Sequence, residues 1–301
     1  MWAILALSSA VLLGLYDVCR KHALRGNAVL PLLFLATLSG TCVTSAVLLI
    51  GTFSPETLAV FGGEIHPLTP TEHGLVALKA FIVASSWVLG YFALKHLPIS
   101  IAGPIRASSP LWTLLGALII FHERPTAWQW GGLAVVLVSY YAFSIIGARE
   151  GIRFFRNPWI YCIALDTVIS SVSALYDKYL VQIRHLPPLT MLVWFSLYLA
   201  VILGLVVAVC WWPVRRKCTP LTWRWSIPCI GVLLVISDLF YYSSLCSAGA
   251  LIALVSAIRR SNVVVSFSIG SILFREENTG HKMLALAGVL LGVFIIVLAR
   301  H

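Results

Sequence analysis

Ten stretches of roughly 20 residues, nearly free of charge, fill most of this 301-residue chain. About 30 Å of hydrocarbon crossed at 1.5 Å per residue sets that length for a spanning helix. The stretches are 2–22, 30–52, 75–95, 98–120, 128–147, 158–180, 188–211, 224–246, 249–273 and 280–299. In lipid the backbone must satisfy its own hydrogen bonds, which leaves helices and closed barrels as spanning structures. The runs are too long for barrel strands and lack period-two alternation. The expected fold is an all-α integral membrane protein with ten transmembrane helices. Turn and interface residues separate the runs, among them Gly26-Asn27, Pro98, Arg124-Pro125, Asn157-Pro158, Pro187-Pro188 and Trp212-Pro213. Trp128, Trp130, Trp159, Trp211, Trp212, Trp223 and Trp225 stand at the ends of runs, where an interfacial aromatic belt belongs. The apolar start has no basic region before it and continues to Asp17, so it reads as a retained first span and not a signal peptide.

Composition excludes most other classes. Only 11% of residues are charged and 60% are hydrophobic, whereas a soluble domain needs about 25% charged residues. Much of the outer surface must therefore face the lipid bilayer. The net charge of +10 is scattered between apolar runs and forms no basic stripe, so no nucleic-acid partner is expected. The seven Cys include no CxxC and no metal-ligand spacing, and no metal, disulfide framework or cofactor is expected. Walker loops, zinc motifs and Ser/His/Asp sets are missing. A membrane-embedded enzyme remains the alternative class, because a repeated Tyr-Asp is similar to that of intramembrane aspartyl proteases. Their Gly-x-Gly-Asp and Pro-Ala-Leu companions do not occur here. A non-transporting assembly or sensor protein should carry a docking domain in a loop, and the loops between runs are short.

The chain repeats itself. Leu15-Tyr16-Asp17 recurs as Leu175-Tyr176-Asp177, and residues 99–143 lie over 252–296 without a gap. That register matches Ile105 with Ile258, Arg106 with Arg259, Ser108 with Ser261, Phe121 with Phe274, Glu123 with Glu276 and Thr126 with Thr279. Two five-span halves follow, 1–148 and 152–301. Five is odd, so the second half is expected to be inverted relative to the first. Inverted repeats are common in secondary transporters, with the substrate near the midplane between them.

The ends of the fourth and ninth spans carry a resemblance. Ile119-Ile120-Phe121-His122-Glu123 with Thr126, and Ile272-Leu273-Phe274-Arg275-Glu276 with Thr279 and Gly292, resemble the repeats of EamA-type members of the drug/metabolite transporter superfamily. The resemblance implies a multi-pass protein of the plasma (inner) membrane. Such proteins export or exchange amino acids, drugs, sugars, nucleotide-sugars or phosphorylated metabolites without ATP. The family's Trp-Gly of the first span is Leu13-Gly14 here, and the ninth span lacks the prolines of the fourth, Pro104 and Pro110. Both departures leave the substrate subtype open.

Charges inside spans mark the candidate site, since each costs about 2.5–3.5 kcal/mol on insertion scales unless paired or facing water. Arg106, Asp166, Asp238 and Arg259-Arg260 lie inside runs; Asp17 and Asp177 lie nearer span ends. The repeat-related Arg106 and Arg259 are expected at comparable depth, and two guanidinium forks facing one cavity suit a carboxylate or phosphate. Asp166 and Asp238 align with Ala6 and Ser85, an asymmetry that fits a cationic solute end or a carried proton. The competing reading makes these Asp and Arg structural pairs. Tyr16 and Trp87 are expected to line the cavity, and Tyr176 joins as the repeat mate of Tyr16. The substrate-binding set is thus Arg106, Arg259, Asp166, Asp238, Asp17, Tyr16, Trp87, Tyr176 and Asp177. The expected partner is a small polar or zwitterionic metabolite coupled to protons. Glu123 and Glu276 are expected to cap helices. Gly288 and Gly292 form a GxxxG expected to pack a helix pair, with a homodimer face as one use.

Lys and Arg counts speak to orientation. Loops after odd-numbered spans hold thirteen, including Arg20, against five on the other side, including Lys79 and Lys178. The count puts both termini outside, whereas the family resemblance implies both in the cytoplasm.

Overall fold

The computed structural model describes residues 1–54, 56, 65–97, 105–106, 108–147, 157–274 and 279–298, and every regular element among them is a helix. Pro104, Glu276, Arg275 and the basic residues Arg149, Arg153 and Arg156 lie outside the described residues. The first half provides α1 (Trp2–Leu24), α2 (Val29–Phe53), α3 (Pro70–His96), α4 (Ser109–Ile120) and α5 (Ala127–Gly147). The second provides α6 (Pro158–Lys178), α7 (Pro188–Val206), α8 (Ser226–Cys246), α9 (Ile252–Arg260), α10 (Asn262–Phe274) and α11 (Thr279–Leu298). Seven helical stretches are long and apolar enough to cross a membrane, and three shorter apolar helices, Ser109–Ile120, Ala127–Ser139 and Ala287–Leu298, accompany them.

Two boundaries differ from the sequence expectation for identifiable reasons. Helix α3 begins at Pro70 and not at 75, because a capping box precedes the apolar run. The Thr69 amide donates to Glu72 Oε2 at 2.8 Å, and the Glu72 amide donates to Thr69 Oγ1 at 3.4 Å. Each residue thereby satisfies a backbone donor that the first helical turn leaves open. The ninth run is two helices, broken at Ser261. There the hydroxyl donates to the Ile258 carbonyl at 2.7 Å and the amide donates to the same oxygen at 3.0 Å. A serine that competes for a carbonyl three residues back interrupts the helical ladder. The repeat mate behaves alike: Ser108 Oγ donates to the Ile105 carbonyl at 2.7 Å, directly before α4.

The two halves interleave. Helix α1 packs on α8 as α6 packs on α3; α2 packs on α8 as α7 packs on α3; α1 packs on α10 as α6 packs on α4. The pairs α2–α7, α4–α9 and α5–α11 are their own counterparts under the same exchange. The repeat read from the sequence is therefore also a repeat of packing, and the largest helix contacts run between halves and not within them. Helices α5 and α11 approach closely through glycine. A Cβ on Gly132 would stand 2.9 Å from the Gly292 carbonyl, and one on Gly292 would stand 2.8 Å from the Gly132 carbonyl. The GxxxG face is thus occupied inside the chain. Apolar side chains such as Ile4, Phe53, Leu205, Val209 and Phe294 are exposed, as a lipid-facing surface requires.

Candidate functional site: a charged cavity between the halves

A cavity of about 340 Å³ lies where α1, α3 and α4 meet α6, α8, α9 and α10, with Phe195 of α7 at its wall. The serine breaks place it. Arg106 and Arg259 sit just before Ser108 and Ser261, and both guanidiniums reach the cavity. Ser109 and Asn262, the first residues of α4 and α10, line it as well. Among the described lining residues are five cations (Arg20, Lys79, Arg106, Arg259 and Arg260) and three carboxylates (Asp17, Asp177 and Asp238).

Three charge clusters surround the space. On α1, Arg20 Nη2 stands 2.7 Å from Asp17 Oδ1 and lies over the rings of Tyr16 and Tyr91, at 5.2 and 5.4 Å. The two phenols share a hydrogen bond of 3.1 Å. Asn262 Nδ2 donates to Asp17 Oδ2 at 2.6 Å, tying α1 to α10. Between α4 and α6, Arg106 Nε is 3.5 Å from Asp166 Oδ2, while Ser86 Oγ of α3 donates to Asp166 Oδ1 at 2.6 Å. The third cluster joins α3, α6, α8 and α9. Lys79 Nζ is 2.7 Å from Asp177 Oδ1, Tyr241 donates to Asp177 Oδ2 at 3.3 Å, and Arg259 pairs with Asp238 while lying 4.1 Å from the Tyr241 ring centre. The Arg106 side chain is 26% exposed, whereas Asp166, Asp177 and Lys79 are buried.

Beyond the Lys79–Asp177 cluster a buried tie joins the halves. Glu123, just after α4, accepts from Lys178 Nζ at 2.6 Å and from the Ile252 and Ala253 amides at 2.8 and 3.3 Å. The carboxylate thus caps a helix, as expected, but the helix is α9 of the other half and not the next one in the chain. Gln182 spans the neighbouring turn, donating to the carbonyls of Leu245 and Ala250 at 2.8 and 3.0 Å.

Of the nine residues expected from the sequence, Tyr16, Asp17, Trp87, Arg106, Asp177, Asp238 and Arg259 line the cavity. Asp166 stands behind the wall, its side chain 1% exposed, and reaches the space through Arg106, Ser86 and Ser170. Tyr176 is turned away: its hydroxyl donates to the Leu75 carbonyl at 3.2 Å and its ring stacks on Tyr179. Arg106 and Arg259 each hold a carboxylate, which is the pairing the structural reading anticipates, yet both remain part of the cavity wall. Sequence reasoning missed Arg20 and Lys79 by counting them as loop residues; both lie inside helices. The signal was present for Lys79, a lone cation within an uninterrupted apolar run.

The sequence profile of the EamA-like transporter family matches residues 1–145 and again 157–298. The chain belongs to the EamA-like transporter family. It is accordingly a multi-pass membrane transporter of the drug/metabolite type. A crystal structure described only as that of a protein has a similar fold, with a TM-score of 0.71 and 18% identity over 99% of this chain and 97% of that one. No curated protein matches the chain.

Proposed function

We propose that this family member is an ATP-independent carrier of a small polar metabolite with an anionic group, worked by alternating access. Ten spans, arranged as two inverted halves at 1–148 and 152–301, would rock about the cavity. The observation that carries the reading is the cavity itself: about 340 Å³, walled by both halves, with five Lys and Arg against three carboxylates. That volume suits a metabolite and not a macromolecule. Counting Asp166 behind the wall, five cations stand against four carboxylates. That excess favours an anion, while the carboxylates leave room for a cationic end and hence a zwitterion.

Thermal unfolding of the purified protein against inorganic phosphate, citrate, glutamate, betaine and spermidine tests this. A solute at 100 times its Kd adds about 2.7 kcal/mol of stability. Citrate, phosphate or glutamate is expected to raise the midpoint, and Arg106→Gln or Arg259→Gln to abolish the rise. Stabilisation by spermidine alone, or an anion response intact in both variants, overturns the assignment.

A further inference from the structure

We propose that Lys79 and Asp177 are the proton-coupling pair of this carrier, Asp177 taking the proton and Lys79 then turning to the solute's anionic group. The proposal rests on the carrier reading above. In and beside the cavity, among the described residues, four aspartates stand against cations. Three face arginine: Asp17 with Arg20, Asp166 with Arg106, Asp238 with Arg259. A guanidinium is a rigid planar fork, whereas a lysine ammonium is a compact charge on a flexible stem that can swing from one partner to another. Asp177 alone of the four is paired with lysine, and the hydrogen bond it receives comes from a phenol, Tyr241.

The local geometry points the same way. Lys79 donates to the Ser173 carbonyl at 3.1 Å and to the Ser173 hydroxyl. The same ammonium stands 2.7 Å from Asp177 Oδ1, so Asp177 shares its cation with both oxygens of Ser173. The Tyr241 bond to Oδ2 is long at 3.3 Å. Asp17 and Asp166, by contrast, each receive a directed bond of 2.6 Å. A carboxylate held by few good donors is the one most readily neutralised. The groups facing Asp177 are Lys79 from α3, Tyr241, Tyr242 and Asp238 from α8, and Arg259 from α9. On α6 itself Lys178 is committed to Glu123, and Arg106, ahead of α4, is held by Asp166.

The step balances simply. A proton from the bulk solution, relayed by water in the cavity, adds to Asp177 Oδ1 and the carboxylate becomes a neutral carboxyl. Lys79 keeps its three protons and its charge, loses its counterion and, as a lining residue, meets the solute anion. Proton and anion are therefore bound together, and a monoanion travels with no net charge. Because Lys79 belongs to the first half and Asp177 to the second, the exchange acts where the halves meet.

Infrared difference spectra of the full-length protein in phosphatidylcholine–phosphatidylglycerol vesicles, taken across the pH range in which it stays folded, test the pair. A protonated-carboxyl band is expected to grow as pH falls and to vanish in Asp177→Asn, while Asp17→Asn and Asp238→Asn keep it. Removing the nearby cation in Lys79→Gln should carry the band to higher pH by roughly 1–3 units. Lys79→Arg, which keeps a cation beside Asp177, should leave the band close to its original pH. A band that survives Asp177→Asn, one indifferent to Lys79→Gln, or no titrating band at all overturns the proposal. Should Asp177→Asn fail to fold, the contrast between Lys79→Gln and Lys79→Arg decides. The spectra need no solute, so a negative result leaves the carrier reading standing. A failed solute panel, in turn, leaves this measurement informative.

Discussion

Gly90 makes room for a charge. A Cβ built there would stand 2.6 Å from Asp166 Oδ2 and 2.8 Å from its Cγ, closer than real Cβ contacts come. Even alanine must push the carboxylate off α3, away from Ser86, and strain its contact with Arg106. Gly90→Ala is therefore expected to lower stability by about 1–3 kcal/mol, read as a fall in the unfolding midpoint in detergent; an unchanged midpoint would show that the carboxylate has space to move. That the intramembrane Asp and Arg form pairs was legible in the sequence; the partners were not. The residue types at depth stood out because a charge inside an apolar run is conspicuous. Which aspartate meets which cation depends on how helices are turned about their axes. A helix apolar on nearly every side, such as α8 around Asp238, offers little pattern to reveal that rotation.

Glycine decides the closest helix pair. Gly132 and Gly292 admit the backbones of α5 and α11 to each other, whereas the space beside Gly131 is open. Gly132→Ala or Gly292→Ala should cost roughly 1–3 kcal/mol, while Gly131→Ala should be neutral or slightly stabilising, since alanine is the better helix former. Thermal melts of the three variants check this; equal behaviour would mean that the crossing relaxes freely. The helices themselves were largely legible. Run length located them within a few residues, and the matched Ser108 and Ser261 foretold a shared feature. What that feature was, a break in the helix, needed the hydroxyl's hydrogen bond to be seen. The capping box of Thr69 and Glu72 was readable in advance and explains the early start of α3.

At the scale of the whole molecule, interleaving means that neither half owns a core. Residues 1–147 and 157–301 produced apart are each expected to aggregate on detergent extraction, and produced together to copurify as one species. A monodisperse single half would refute the inference. The repeat was visible in the sequence through Arg106, Arg259 and the Leu-Tyr-Asp pair. The orientation count took Arg20, Lys79 and Lys178 for loop residues, though they lie within helices and hold carboxylates; leaving them out makes it twelve against three.

Asp177 and Lys178 are consecutive on the last turn of α6. One faces the cavity through Lys79; the other grips Glu123 at the end of the bundle. Successive side chains on a helix point about 100° apart, so a single turn of the chain works like a crank with two handles. Any twist that draws Asp177 from the cavity also swings Lys178 against Glu123. A wider π turn follows at Tyr179–Ile183. Whatever alters the charge at Asp177 is one peptide bond from the tie that joins the two halves.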